Sequence, residues 1–101
     1  MNINVCGVKY YVMQAEEVDN DPSCLGICIY RESLIQIKRG LSTERKKQVL
    51  VHELFHAIMY EAGYEDHDEE LVKNLSVVIN QVVSQNEIKA TLNQIEQLPS
   101  S

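Results

Sequence analysis

The chain has 101 residues, 45% of them apolar and 24% charged, with a net charge of −6 and a pI near 4.9. That length and composition fit one domain with one modest core and argue against disorder throughout. The acidic balance argues against sequence-independent nucleic-acid binding, which rests on Lys and Arg meeting phosphates. The one basic cluster, Arg45-Lys46-Lys47, reads as a solvated helix face.

No apolar run is long enough to span a membrane. The opening "MNINVCGVKYYV" lacks the basic, apolar and small-residue order of a signal peptide, so a cytoplasmic protein is expected. Cys6, Cys24 and Cys28 make an odd count, which argues against a disulfide framework. Cys24 and Cys28 share a strand face but stand about 13 Å apart along an extended chain, too far to bridge. All three are expected to be buried free thiols.

Residues 2–13 predict a strand, with Ile3, Val5 and Gly7 alternating against Asn2, Asn4 and Cys6. "EEVDNDPS" is a loop by composition, with a turn at Asp21-Pro22. "CLGICIY" predicts a second strand. "SLIQIKR" alternates Leu34, Gln36 and Lys38 against Ile35 and Ile37 and predicts a third, joined to the second by a tight hairpin at Arg31-Glu32. The expectation is an α+β fold, with a small three-stranded, mainly antiparallel sheet packed on two main helices.

Ser42 or Thr43 caps the first helix, with Glu44 in its first turn; the helix runs to about Ala62 and stops at Gly63. Asp66 or Asp68 caps a second helix running to about Gln85, with Leu71, Val72, Leu75, Val78, Ile79, Val82 and Val83 on one stripe. Residues 1–85 are read as the domain. The tail 86–101 carries Ile88, Leu92 and Ile95 at helical spacing and is read as a short helix or frayed extension.

At 100° per residue the first helix separates into two arcs. Val51, Leu54, Phe55, Ile58 and Ala62 form the expected core face; Val49, His52, Glu53, His56 and Tyr60 lie nearly opposite. Side chains four apart stand about 5–6 Å from each other at Cβ, so His52 and His56 can reach one metal ion. Glu53 lies beside them, placed to take a proton from a metal-activated water. "HELFH" is thus the H-E-x-x-H arrangement of zinc hydrolases. A catalytic zinc takes three protein ligands and leaves one position for water. Candidates for the third lie at the start of the second helix: Glu69, then Glu70, then His67, with Asp68 a further candidate unless it is taken up as the cap. Tyr60, Tyr64 and His67 are candidate donors to the transition state, and strand 33–39 a candidate edge for an extended substrate.

"VLVHELFHAIMYEAGY" followed by "DEELVKNLSVVINQVV" resembles the small phage and prophage metallopeptidases of the zincin type, the group that includes ImmA/IrrE-like proteins. The resemblance covers about residues 42–85. It implies that His52 and His56 are zinc ligands, Glu69 the third ligand and Glu53 the catalytic base. It also implies an edge strand that holds an extended peptide, and a specific protein substrate such as a phage or host regulator. The alternative is a non-catalytic, metal-bearing interaction module of similar origin.

Overall fold

The computed structural model describes residues 1–100. It is α+β, with a four-stranded mixed sheet and three helices: β1 (Asn2–Val5), β2 (Val8–Ala15), β3 (Gly26–Ile29), β4 (Leu34–Lys38), α1 (Thr43–Glu61), α2 (Glu69–Gln85) and α3 (Ile88–Asn93). The strand order is β1-β2-β4-β3, with β2 and β4 parallel and the other two pairs antiparallel.

The expected single strand over 2–13 is therefore a hairpin. Its turn is Cys6-Gly7, with φ of 53° and 85°, the paired left-handed conformation of a two-residue β-turn. Gly7 adopts it freely, and its N–H is held by Asn4 Oδ1 at 2.8 Å. Cysteine is not a turn-forming residue, so composition hid the break. Cys6 is consequently exposed, against the expectation of a buried thiol, although all three cysteines are free.

The β3–β4 connection is a turn of 3-10 helix over Tyr30–Glu32, closed by Ser33 in the left-handed region at φ 49°. The pairing sets Cys28 opposite Ile35 and Gly26 opposite Ile37. Ile35 and Ile37 are buried, as their alternation predicts, in one cluster with Val5, Tyr10, Val49 and Ala57. β4 lies inside the sheet between β2 and β3, so it has no free edge for a substrate; β3 is the edge strand beside α1.

Ser42 caps α1, its hydroxyl accepting from Arg45 N–H at 3.2 Å. At the other end Gly63, at φ 102°, reverses the chain. Gly63 N–H donates to the Tyr60 carbonyl at 3.0 Å and Tyr64 N–H to that of Met59 at 2.9 Å, the bond pattern of a Schellman stop. Asp68 caps α2 by accepting from Leu71 N–H at 3.1 Å. The Tyr10 hydroxyl, fully buried under the sheet, donates to Glu61 at 2.6 Å and ties β2 to the last turn of α1. Among the described residues, no helix is long and apolar enough to cross a membrane.

Candidate metal centre

The face of α1 that packs against the sheet is not the most apolar one. Its buried residues are Val49, Glu53, His56 and Ala57, while Ile58, expected in the core, is 46% exposed. The stripe 49-53-56-57 follows helical spacing and lies over β3 and β4. The expected division into two arcs is therefore only partly right: Leu54 packs against the core, but Val49, Glu53 and His56, expected opposite, are buried while Ile58 is not. The polar residues point inward because the site lies between the helix and the sheet edge, with α2 closing a further side. α2 packs on α1 through buried Val72 and Ser76, in line with Glu69 on the same face.

His52 and His56 stand on adjacent turns, ring centres 5.1 Å apart. His56 Nε2 is 2.9 Å from one carboxylate oxygen of Glu69, and His52 Nε2 is 3.5 Å from the other. One ligand atom from each of His52, His56 and Glu69 lies within 4.8 Å of the others, close enough to bind a single metal ion. The donor chemistry fits. Two imidazoles and a carboxylate suit a borderline divalent ion. Burial also lowers the pKa of His56, against the pull of Glu69, and so favours the neutral ring a metal requires.

The other nitrogens of both rings face away from this point. His52 Nδ1 is 3.5 Å from Ser76 Oγ, and His56 Nδ1 is 2.6 Å from His67 Nδ1. His67 lies in the turn after the Gly63 stop, where its Nε2 is 2.6 Å from the Tyr64 carbonyl oxygen. Both of its ring nitrogens are therefore engaged, and it lies outside the group formed by His52, His56 and Glu69. Glu70, the other alternative, is exposed and outside the group. Tyr64 contributes its carbonyl, and its side chain is 63% exposed. Tyr60 stacks on Tyr30, with centroids 4.4 Å apart and planes at 11°.

Glu53 is buried, with its carboxyl pKa pushed up to about 7 by burial and by the charge of Glu69. It borders an open cleft of about 330 Å³ with His52, His56 and Glu69; the opposite wall is Gly26, Ile27, Cys28 and Tyr30. None of these four wall residues was anticipated as part of the site. Gly26 lets β3 approach α1: a Cβ there would collide with Val49 Cγ1 and come within 3.3 Å of Glu53 Cγ. Gly alternating with Cys in "GICI" is the available signal for such a close approach. The Cys28 thiol is pushed up to about 12 by burial, then by the charges of Glu53 and Glu61. Tyr30 rises to about 12 for the same first reason, so its hydroxyl stays a donor. No sequence signal distinguishes Tyr30 from the chain's other tyrosines; only the fold brings it to the cleft.

Set against protein-family models, curated proteins and solved structures, the chain matches none.

Proposed function

We propose that the chain is a zinc-dependent peptidase of the zincin type. In this reading it acts in the cytoplasm on a peptide bond of a specific protein partner, as small phage and prophage ImmA/IrrE-like enzymes do. The observation that carries the reading is the convergence of His52, His56 and Glu69 beside a buried glutamate, lining an open cleft that borders the edge strand β3. A structural metal site closes with four protein ligands and has no use for a neighbouring base.

An ion held by His52, His56 and Glu69 would supply Lewis acidity and a water acidic enough to ionise near neutrality. The remaining work falls to the chain. An extended peptide pairs its backbone with β3, which sets its carbonyl over the cleft. As the water oxygen bonds to the carbonyl carbon, the Glu53 carboxylate accepts the water proton. When the C–N bond breaks, Glu53 returns that proton to the leaving amine. Burial and the Glu69 charge push Glu53 up to about 7 in the metal-free site; an ion held beside it would draw it back toward the carboxylate form that accepts the proton. The Tyr30 hydroxyl is the cleft's donor for the developing oxyanion.

The second reading, a metal-bearing module without turnover, draws on one observation: Leu71, Leu75 and Val78 of α2 are 41% to 56% exposed and could serve a partner. Glu53→Gln separates the two. The peptidase reading expects stoichiometric zinc retention with complete loss of cleavage of a diverse peptide library. Activity equal to wild type in that variant, or no cleavage by the zinc-loaded wild type, would favour the module.

A further inference from the structure

A zinc ligand histidine must present a bare nitrogen, and the group at its other nitrogen decides whether it does. In His56 the nitrogen facing the ligand group is Nε2, so Nδ1 must carry the proton. Nδ1 lies 2.6 Å from His67 Nδ1, a short contact between two ring nitrogens that needs a single proton between them. The far end of the chain of contacts decides which ring donates it. His67 Nε2 lies 2.6 Å from the Tyr64 carbonyl oxygen, which can only accept. His67 therefore carries its proton on Nε2, and in the neutral ring Nδ1 is a lone pair.

We propose that His67 is a positioning residue for the metal centre: the Tyr64 carbonyl sets its tautomer, it accepts the Nδ1 proton of His56, and His56 is thereby held with Nε2 bare toward the ion. This deepens the metallopeptidase reading and rests on it. The relay Tyr64 C=O, His67, His56 is the one arrangement in which both rings are neutral and both short contacts are hydrogen bonds.

The geometry around His67 is built for this. The Gly63 reversal returns Tyr64 and His67 over the end of α1, and the two imidazoles lie nearly parallel, with centroids 4.9 Å apart and planes at 20°. The Tyr30 ring meets His67 edge-on at 5.9 Å, with its hydroxyl 3.4 Å from Nδ1, a contact longer than that of His56. His67 does not line the cleft, so it acts through His56. His52 has a looser counterpart in Ser76 Oγ at 3.5 Å, which makes His56 the more firmly oriented of the two ligands.

The test compares wild type, His67→Leu and His67→Asn. The Asn Oδ1 falls where Nδ1 stood and can still accept. Zinc affinity is measured by chelator competition, and imidazole tautomers by nitrogen–proton correlation NMR on the zinc-loaded protein. The expected result is a slowly exchanging His56 Nδ1 proton and an Nε2-protonated His67 in wild type. His67→Leu should lose about 10–100-fold in zinc affinity along with the slow exchange, and His67→Asn should recover most of both. Zinc binding in His67→Leu within twofold of wild type, or a His67 protonated on Nδ1, would overturn the relay while leaving the metal site standing. A wild-type protein that takes up no zinc overturns the metal reading and the relay with it.

Discussion

At the scale of single residues, the molecule buries ionisable side chains on the helix face that meets the sheet. Glu53 and His56 occupy core-facing places on α1 where an apolar residue would stabilise more. Cys28 shows what that environment does to an ordinary group. Burial and two nearby carboxylates push its thiol up to about 12, so it stays protonated, and inert, through the neutral and mildly alkaline range. Alkylation of the native protein at pH 8 should modify exposed Cys6 fast and Cys28 slowly, with Cys28 reaching the Cys6 rate only in denaturant. Equal rates in the native state would mean that the β3 wall does not close over the thiol. The histidine pair and its glutamate were legible in the sequence because their spacing is itself the chemistry. The orientation of their helix was not. Counting apolar residues assigned Val51, Phe55 and Ile58 to the core, but a site wedged between helix and sheet turns its polar side chains inward.

At the scale of elements, the precision of the site depends on how closely β3 lies against α1. Gly26 sets that distance, so Gly26→Ala forces Val49 and Glu53 aside. The overpacking should cost about 1–3 kcal/mol in stability, read by denaturant unfolding, and should cut peptide cleavage by more than the lost stability explains. A variant with wild-type stability and activity would show that the approach is not needed. The ends of the helices were readable from local chemistry: Ser42, Gly63 and Asp68 stand where capping requires them. The hairpin at Cys6-Gly7 was not, because Cys carries no turn signal, and without it the sheet loses a strand in the reading. The edge strand was misplaced for a related reason. Strand order depends on which pairs form across the sheet, and the parallel β2–β4 pairing has no local signature.

At the scale of the whole molecule, the working domain and its extension separate clearly. The radius of gyration is 15.4 Å and the long axis 54 Å, against about 13 Å for the radius of a compact chain of 100 residues. The excess comes from the end of α2 and the C-terminal tail, since residues 81–100 are exposed throughout. The apolar stripe of α2 that looked like a packing face is largely outside, with Val78 at 56% and Val83 at 58% exposure, while Val72 and Ser76 make the contact. Removing residues 86–101 should leave the melting temperature within a few degrees and zinc affinity unchanged; a large loss of either would mean that the tail supports the domain. The central claim is that His52, His56 and Glu69 hold one divalent ion beside Glu53. Anomalous scattering at the zinc edge from crystals of the zinc-loaded protein tests it most directly. A single peak is expected about 2.0–2.2 Å from His52 Nε2, His56 Nε2 and a Glu69 oxygen, with no fourth protein ligand. A peak elsewhere, a fourth side chain on the ion, or no peak at all would contradict it.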